Sequence, residues 1–244
     1  MEKIANAPPP TLYHLESSQS LRVLWALEEL ADSHGQTFEL KRYPRVAARA
    51  DPAIKKISPM GKAPVLTLPH LDGRAAGGEV VITESRVILQ FLADAYSDDA
   101  WRPATLEDRM RDRQFQEFAN NSLGSVYMLM LVFELIPRQA PAFLRGLLGL
   151  FVGSVVGRIK AETETPHQVL EDALSDDKPW FSGPKMGLAD FNMSWQMDVG
   201  VQRGYLDVRR YPKLAAWVER VHARPAYKRA LQKTGTYDLV TFGM

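Results

Sequence analysis

A small mixed α/β domain followed by an all-helical one is what this sequence of 244 residues predicts, on three grounds. Short runs of β-type residues alternate with helical periodicity up to residue 96, in the order βαβ and then ββα. Strand-like alternation then stops, while apolar residues recur at helical spacing through the rest of the chain. Between the two regimes lies Ser97-Asp98-Asp99-Ala100-Trp101-Arg102-Pro103, polar and closed by proline. The expected boundaries are residues 1–97 for the first domain, with 1–10 as a flexible lead-in, 98–103 for the linker and 104–244 for the helical domain.

Thr11 to Leu15 is a short β-type run. Ser17, Ser18 and Ser20 then precede Val23, Leu24, Leu27, Leu30 and Ala31, which share one helical face, and Gly35 can end that helix. Thr37 to Leu40 alternates as a second strand, and Pro44 to Pro59 reads as loop with a weak helical middle. Val65 to Leu68 and Val80 to Ile82 flank a turn containing Asp72-Gly73 and Gly77-Gly78, which predicts an antiparallel hairpin. Val87, Ile88, Phe91, Leu92, Ala95 and Tyr96 follow at helical spacing. Beyond the linker, Thr105 with Asp108 forms a capping-box-like start, and helical patterns recur through Phe115 to Ser122, Leu144 to Val156, Leu188 to Val199 and Leu214 to Val221.

Bulk properties narrow the function. Basic and acidic residues number 30 and 29, so the net charge of +1 gives no reason to expect a nucleic acid or an anionic membrane as partner. With no cysteine, the chain has no disulfide framework, thiolate metal site or cysteine nucleophile, and any thiol chemistry falls to a bound ligand. No His/Asp/Glu spacing resembles a metal site, and His14 and His222 read as structural. The N-terminus has no apolar core of signal-peptide length, which predicts a soluble intracellular, cytoplasmic protein. The apolar run from Leu147 to Val156, bracketed by Arg145 and Arg158, falls short of the roughly 20 residues that span a bilayer and is read as a buried helix.

Two stretches carry the chemistry. In Ser58-Pro59-Met60-Gly61-Lys62-Ala63-Pro64-Val65-Leu66, an X-Pro bond just before a strand is a candidate for the cis form, and the backbone groups of Ala63 are left to pair with an extended ligand. In Ile82-Thr83-Glu84-Ser85, Ser85 stands where a helix begins, and the exposed N–H groups there favour a carboxylate. Together they read as a docking site for a peptide-like anion.

These stretches resemble the glutathione transferase superfamily, in its serine-using, theta-like and fungal-like branch. The resemblance rests on Ser18 to Leu30, on residues 58–66, on Thr83-Glu84-Ser85-Arg86, on Trp180-Phe181-Ser182-Gly183 with Leu188-Ala189-Asp190-Phe191, and on Tyr211 to Trp217 running to Arg224-Pro225-Ala226-Tyr227. It implies a thioredoxin-like glutathione-binding domain, a helical domain supplying the acceptor-substrate pocket, and a homodimer. Carried over by position, Ala63 before Pro64 meets the cysteinyl part of glutathione, Glu84 and Ser85 hold its γ-glutamyl end, and Lys62 faces the glycyl carboxylate, with Lys55 and Lys56 as helpers.

A thiol with an ordinary pKa of about 8.5 is only slightly ionised at neutral pH, so activation means stabilising the thiolate. Ser18, just before the first helix and four residues before Arg22, is the first choice for the hydroxyl donor; Ser17, Ser20 and Tyr13 are the alternates. Ser18 can instead serve only as a helix cap. Tyr127 and Met128 are expected in the acceptor pocket, the first members of a Met and aromatic cluster running to Phe133. The implied activity is conjugation of glutathione to hydrophobic electrophiles, with peroxidase chemistry beside it. The rival is a non-enzymatic module of the same fold used for regulation or protein interaction. One departure from the family pattern stands out: Gly187 occupies the start of the late helix, where a Ser or Thr usually pairs with the Asp three residues on, here Asp190.

Overall fold

The computed structural model describes residues 9–46, 49–69 and 79–242. The first eight residues of the lead-in and the hairpin loop around Asp72-Gly73 and Gly77-Gly78 lie outside the described residues. Strand β1 (Thr11–Leu15), helix α1 (Ser20–His34) and strand β2 (Glu39–Tyr43) form the βαβ unit. A two-residue pair, β3 (Arg45–Val46) with β4 (Arg49–Ala50), and a 3-10 turn over Pro52–Lys56 occupy the stretch expected to be loop. Strands β5 (Val65–Pro69) and β6 (Glu79–Thr83) and helix α2 (Ser85–Tyr96) complete the ββα half.

The sheet order is β2-β1-β5-β6, parallel between β1 and β2 and antiparallel elsewhere. Leu12 pairs with Leu40 on one side and Leu66 on the other, and Leu66 pairs with Ile82, so one apolar row crosses the whole sheet. Burying such a row fixes the register, because a one-residue slip would turn it outward. Helix α1 ends at Gly35, whose φ of 63° turns the chain so that the Gln36 N–H reaches the Leu30 carbonyl oxygen at 3.3 Å.

The sequence shows α1 as one-sided, but Ser20 to Leu30 are all buried. The reason is position: α1 packs on β1 and α2 and also on two helices of the second half, described below. Its charged residues are therefore paired across that junction, Glu29 with Arg224 and Glu28 with Arg229 and Lys233.

After Tyr96 the described chain is helical. Helix α3 (Leu106–Glu117) begins at Thr105, whose Oγ1 accepts the Asp108 N–H at 3.0 Å. A π-helical segment, Phe118–Leu123, leads into α4 (Gly124–Gln139), α5 (Ala142–Glu162), α6 (Glu164–Ala173), α7 (Leu188–Gln202), α8 (Pro212–Ala223) and α9 (Pro225–Thr234). Helix α7 is buried nearly throughout, and α7 and α9 are the two that meet α1.

One expectation is corrected. The apolar run around Leu147 to Val156 is helical, as α5, but it is not buried: Phe143 is 83%, Leu147 69%, Leu150 77% and Phe151 65% exposed, and in α5 only Val152 is buried. Helix α5 packs against α4 and α6 through the side bearing Val152, with Val156 and Ile159 half-buried. A helix apolar on every side reads from sequence as a core helix, which is why the exposure was not legible.

Candidate functional site

Two clefts meet beside the β1–α1 turn. The smaller, of about 220 Å3, is lined by Ser58, Pro64, Thr83, Glu84 and Ser85; the larger, of about 530 Å3, by Leu15, Ser18 and Arg45 on one side and by Met128, Leu131, Leu135, Trp195 and Phe242 on the other. Gln19, Met60, Lys62 and Ala63 line both and form their common wall. The polar cleft therefore opens onto the apolar one at Lys62-Ala63.

Each polar-cleft residue owes its place to local structure. The Ala63–Pro64 bond is cis, and Pro64 leads directly into β5. Glu84 stands at the N-terminal end of α2 with φ 65° and ψ 112°, a left-handed region uncommon for a residue with a side chain. Ser85, the first residue of α2, is buried, and its Oγ accepts a hydrogen bond from Arg22. Lys55 and Lys56 line neither cleft.

Arg22 organises this corner. It is 1% exposed, and burial pulls its guanidinium down to about 10, which leaves it charged at neutral pH. One terminal nitrogen donates to Asn120 Oδ1 and to the Asn192 carbonyl oxygen, each at 3.0 Å; the other donates to Gln19 and Ser85. The π-helical segment carries Asn120 and α7 carries Asn192, so one cation ties both clefts to the helical half.

The candidate hydroxyls are separated by the fold. Ser18 lines the apolar cleft; its Oγ donates to the Leu15 carbonyl oxygen at 2.7 Å and accepts the Ser20 N–H at 3.1 Å. The cap-like role and the cleft position thus coexist in one side chain. Ser17, at φ 49°, donates to the Thr236 carbonyl oxygen and accepts the Asp238 N–H, so it anchors the C-terminal segment and lines neither cleft. Ser20 is fully buried and also lines neither cleft. Tyr13 stacks on Tyr43 at 6.4 Å and receives a hydrogen bond from Lys41, away from the clefts. His14 is buried with its Nε2 2.6 Å from Thr234 Oγ1.

Tyr127 and Met128, adjacent in α4, point differently. Met128 lines the apolar cleft, whereas Tyr127 is buried in the helical core with its hydroxyl 2.6 Å from His167 Nε2. Burial pushes the Tyr127 phenol well up and brings the His167 imidazole down to about 4, so this pair is neutral near pH 7.

Gln19, Arg45, Trp195 and Phe242 are among the cleft residues that the sequence did not predict. Gln19 is adjacent to Ser18 and was within reach of sequence reasoning. Arg45 donates to the Glu16 and Ser17 carbonyl oxygens at 3.1 and 2.9 Å and lies over the Phe242 ring at 5.0 Å, contacts that no motif announces. Burial also lowers its guanidinium pKa. Among the described residues no group of three or more His, Asp and Glu side chains is placed to hold a metal ion.

A thioredoxin-like sheet with helices, joined to a helical half that walls an apolar cleft, defines a glutathione-transferase type of protein. Comparison agrees. The family model "Glutathione S-transferase, N-terminal domain" matches residues 16–95, and "Glutathione S-transferase, C-terminal domain" matches residues 160–225. The chain is 30% identical over 235 residues to glutathione S-transferase 3 of Schizosaccharomyces pombe, covering 95% of this chain and 90% of that one. Among solved structures, a glutathione S-transferase from Actinobacillus pleuropneumoniae is 27% identical with a TM-score of 0.69, covering 96% and 98% of the two chains. A glutathione transferase from Phanerochaete chrysosporium, solved with oxidized glutathione, is 25% identical with a TM-score of 0.69, covering 94% and 96%. The chain belongs to the glutathione S-transferase family, and glutathione transfer is its class of activity.

Proposed function

We propose that this enzyme binds glutathione along the polar cleft, ionises its thiol beside Ser18 and adds the sulfur to an apolar electrophile held in the larger cleft. The common wall of Gln19, Met60, Lys62 and Ala63 carries this reading, because a tripeptide anchored at one end by Glu84 and Ser85 extends past it toward Ser18. The Glu84 carboxylate faces the α-ammonium group of the γ-glutamyl end, Ser85 adds a position at the helix N-terminus, and Lys62 complements the glycyl carboxylate. Backbone groups of Ala63, next to Pro64, meet the cysteinyl unit. Met128, Leu131, Leu135 and Phe242 give the acceptor an adaptable apolar wall.

The same thiolate can attack an organic peroxide. With no cysteine in the chain, a second glutathione resolves the resulting sulfenate, giving glutathione disulfide, alcohol and water. A homodimeric cytoplasmic enzyme of detoxification belongs to this reading, supported by the family resemblance alone.

The test is purified protein with glutathione and a reactive aryl halide, or an organic peroxide, comparing wild type with Ser18→Ala. Absence of both glutathione binding and turnover would sink the enzymatic reading in favour of a regulatory module. Full activity in Ser18→Ala would leave glutathione transfer standing and remove Ser18 from the chemistry.

A further inference from the structure

The segment after α9 closes back on the β1–α1 turn, and it does so at Ser17. Every polar group of Ser17 is engaged outside that turn. Its N–H and its hydroxyl both donate to the Thr236 carbonyl oxygen at 3.1 Å, and its Oγ accepts the Asp238 N–H at 3.0 Å. Its carbonyl oxygen accepts Nε and Nη2 of Arg45 at 3.2 and 2.9 Å. A segment outside regular structure frays unless it is tied down, and this one is tied to the residue next to Ser18.

The segment is itself firmly held. Gly235, at φ 81°, passes so close to Glu16 that a Cβ there would collide with the carboxylate. The Tyr237 hydroxyl donates to Asp198 Oδ2 at 2.6 Å, the Leu239 N–H donates to Gln202 Oε1 at 3.0 Å, and Arg203 donates to the Leu239 and Val240 carbonyl oxygens at 2.8 and 2.7 Å. Asp198 and Gln202 lie in α7 and Arg203 caps it, so Ser17 is braced against the helical half.

Strain marks the same residue. Ser17 has φ 49°, in the left-handed region that a residue with a side chain keeps only when its surroundings impose it. The consequence falls on its neighbour, because the φ of Ser17 sets the direction in which the chain enters Ser18. Both hydroxyl bonds of Ser18 stay within the turn, to Leu15 and Ser20, and so do not fix the turn against the cleft walls. The bonds of Ser17 do. With the Ser18 backbone held, rotation about χ1 alone carries its hydroxyl from the Leu15 carbonyl oxygen toward a thiolate.

We propose, resting on the assignment of Ser18 to the thiolate, that Ser17 is a positioning residue: Thr236 and Asp238 clamp it so that the Ser18 hydroxyl meets the glutathione sulfur. The competing role is that of a fastener for the C-terminal segment and nothing more. A fastener, when changed, would act alike with or without the Ser18 hydroxyl. A positioning residue acts through it.

A cycle of Ser17→Gly and Ser18→Ala in the full chain, read as the pKa of bound glutathione by ultraviolet titration, separates the two roles. Glycine accepts the left-handed φ without strain, so Ser17→Gly loses the hydroxyl bonds and keeps a turn that can fold. It should raise the thiol pKa by at least half the shift that Ser18→Ala produces, lower kcat/KM by up to about fivefold at neutral pH, and add nothing once Ser18 is alanine. Asp238→Pro, which removes the donated N–H from the other side, should behave in the same way. No shift in Ser17→Gly, or an equal shift in both backgrounds, overturns the proposal and leaves Ser18 its role. A shift in Ser17→Gly that Asp238→Pro does not share overturns the part given to the C-terminal segment. Ser18→Ala with no shift of its own overturns the positioning role and the assignment of Ser18 together.

Discussion

The Ser18 hydroxyl donates its one proton to the Leu15 carbonyl oxygen, 2.7 Å away, while accepting the Ser20 N–H. To serve a thiolate it must turn from that carbonyl, exchanging a neutral hydrogen bond worth about 1 kcal/mol for a charged one worth about 2. The gain is therefore about 1 kcal/mol, or somewhat under one pKa unit, and the remaining activation falls to the N-terminal end of α1 and its surroundings. Ser18→Ala should raise the pKa of bound glutathione by somewhat under one unit and lower kcat/KM by up to about fivefold at neutral pH. Ultraviolet titration of the bound thiolate measures the first quantity directly. An unchanged thiol pKa would leave Ser18 with only its turn-forming role.

Lys62 and Glu84 should separate binding from chemistry. Lys62→Met is expected to weaken glutathione binding up to about fivefold, less so at high salt, with kcat unchanged, because an exposed charge contributes at most about 1 kcal/mol. Initial rates at several ionic strengths show the split.

At Glu84 the φ of 65° reverses the usual order of substitutions. Ala there costs about 1 kcal/mol that Gly does not, so Glu84→Gly should melt about 2–4 °C above Glu84→Ala in a chain of this size. Both variants lose the carboxylate and should bind glutathione equally poorly. Calorimetry on the pair, free and with glutathione, checks both statements.

Much of this was legible because it depends on local pattern. Alternation and turn residues located all the strands of the four-stranded sheet, and Thr105 with Gly35 located helix ends, since those residues act on neighbouring backbone. The start of β2 shifted from Thr37 to Glu39, within the ordinary uncertainty of element ends. Lys62, Ala63, Pro64, Glu84 and Ser85 line one cleft, and sequence could single them out because they belong to two short local motifs. What sequence could not show was long-range: Arg45 reaching Phe242, Trp195 entering the cleft wall, or Arg22 binding Asn120 and Asn192. Tyr127 and Met128 illustrate the limit, since adjacent residues on one helix necessarily face about 100° apart and the sequence names no direction.

Gly187 looks like a weakened cap, yet restoring the usual serine should destabilise the protein. Its φ of −149° would suit any residue, and its N–H already donates to Asp190 Oδ2 at 3.0 Å. A Cβ there would stand 2.7 Å from Ser182 Oγ, 2.8 Å from Ser182 Cβ and 2.9 Å from the Trp101 carbonyl oxygen. Ser182 cannot easily yield, because its hydroxyl donates to buried Asp112 at 2.6 Å. Crowding of this kind costs about 1–3 kcal/mol, against about 1 from a serine cap. Gly187→Ser should therefore lower the melting temperature by a few degrees, and a rise would show that the backbone relaxes more than the close contacts allow.

His14 makes stability depend on pH with a definite sign. Burial, with Arg42 as a lesser cause, holds its imidazole down at about 4, against about 6.5 in an unfolded chain. Between these values the unfolded state binds the extra proton, so stability is full above about pH 6.5 and is lost as the pH falls toward 4. A shift of this size corresponds to about 3 kcal/mol. The loss has a structural address, because His14 on β1 meets Thr234 at the end of α9 and joins the sheet to the last helix. His167, also held down at about 4, adds to the same slope. Urea midpoints measured from pH 7 to pH 4 should therefore fall less steeply in His14→Gln than in wild type, without becoming flat. Parallel curves for the two proteins would mean that His14 titrates alike in the folded and unfolded states.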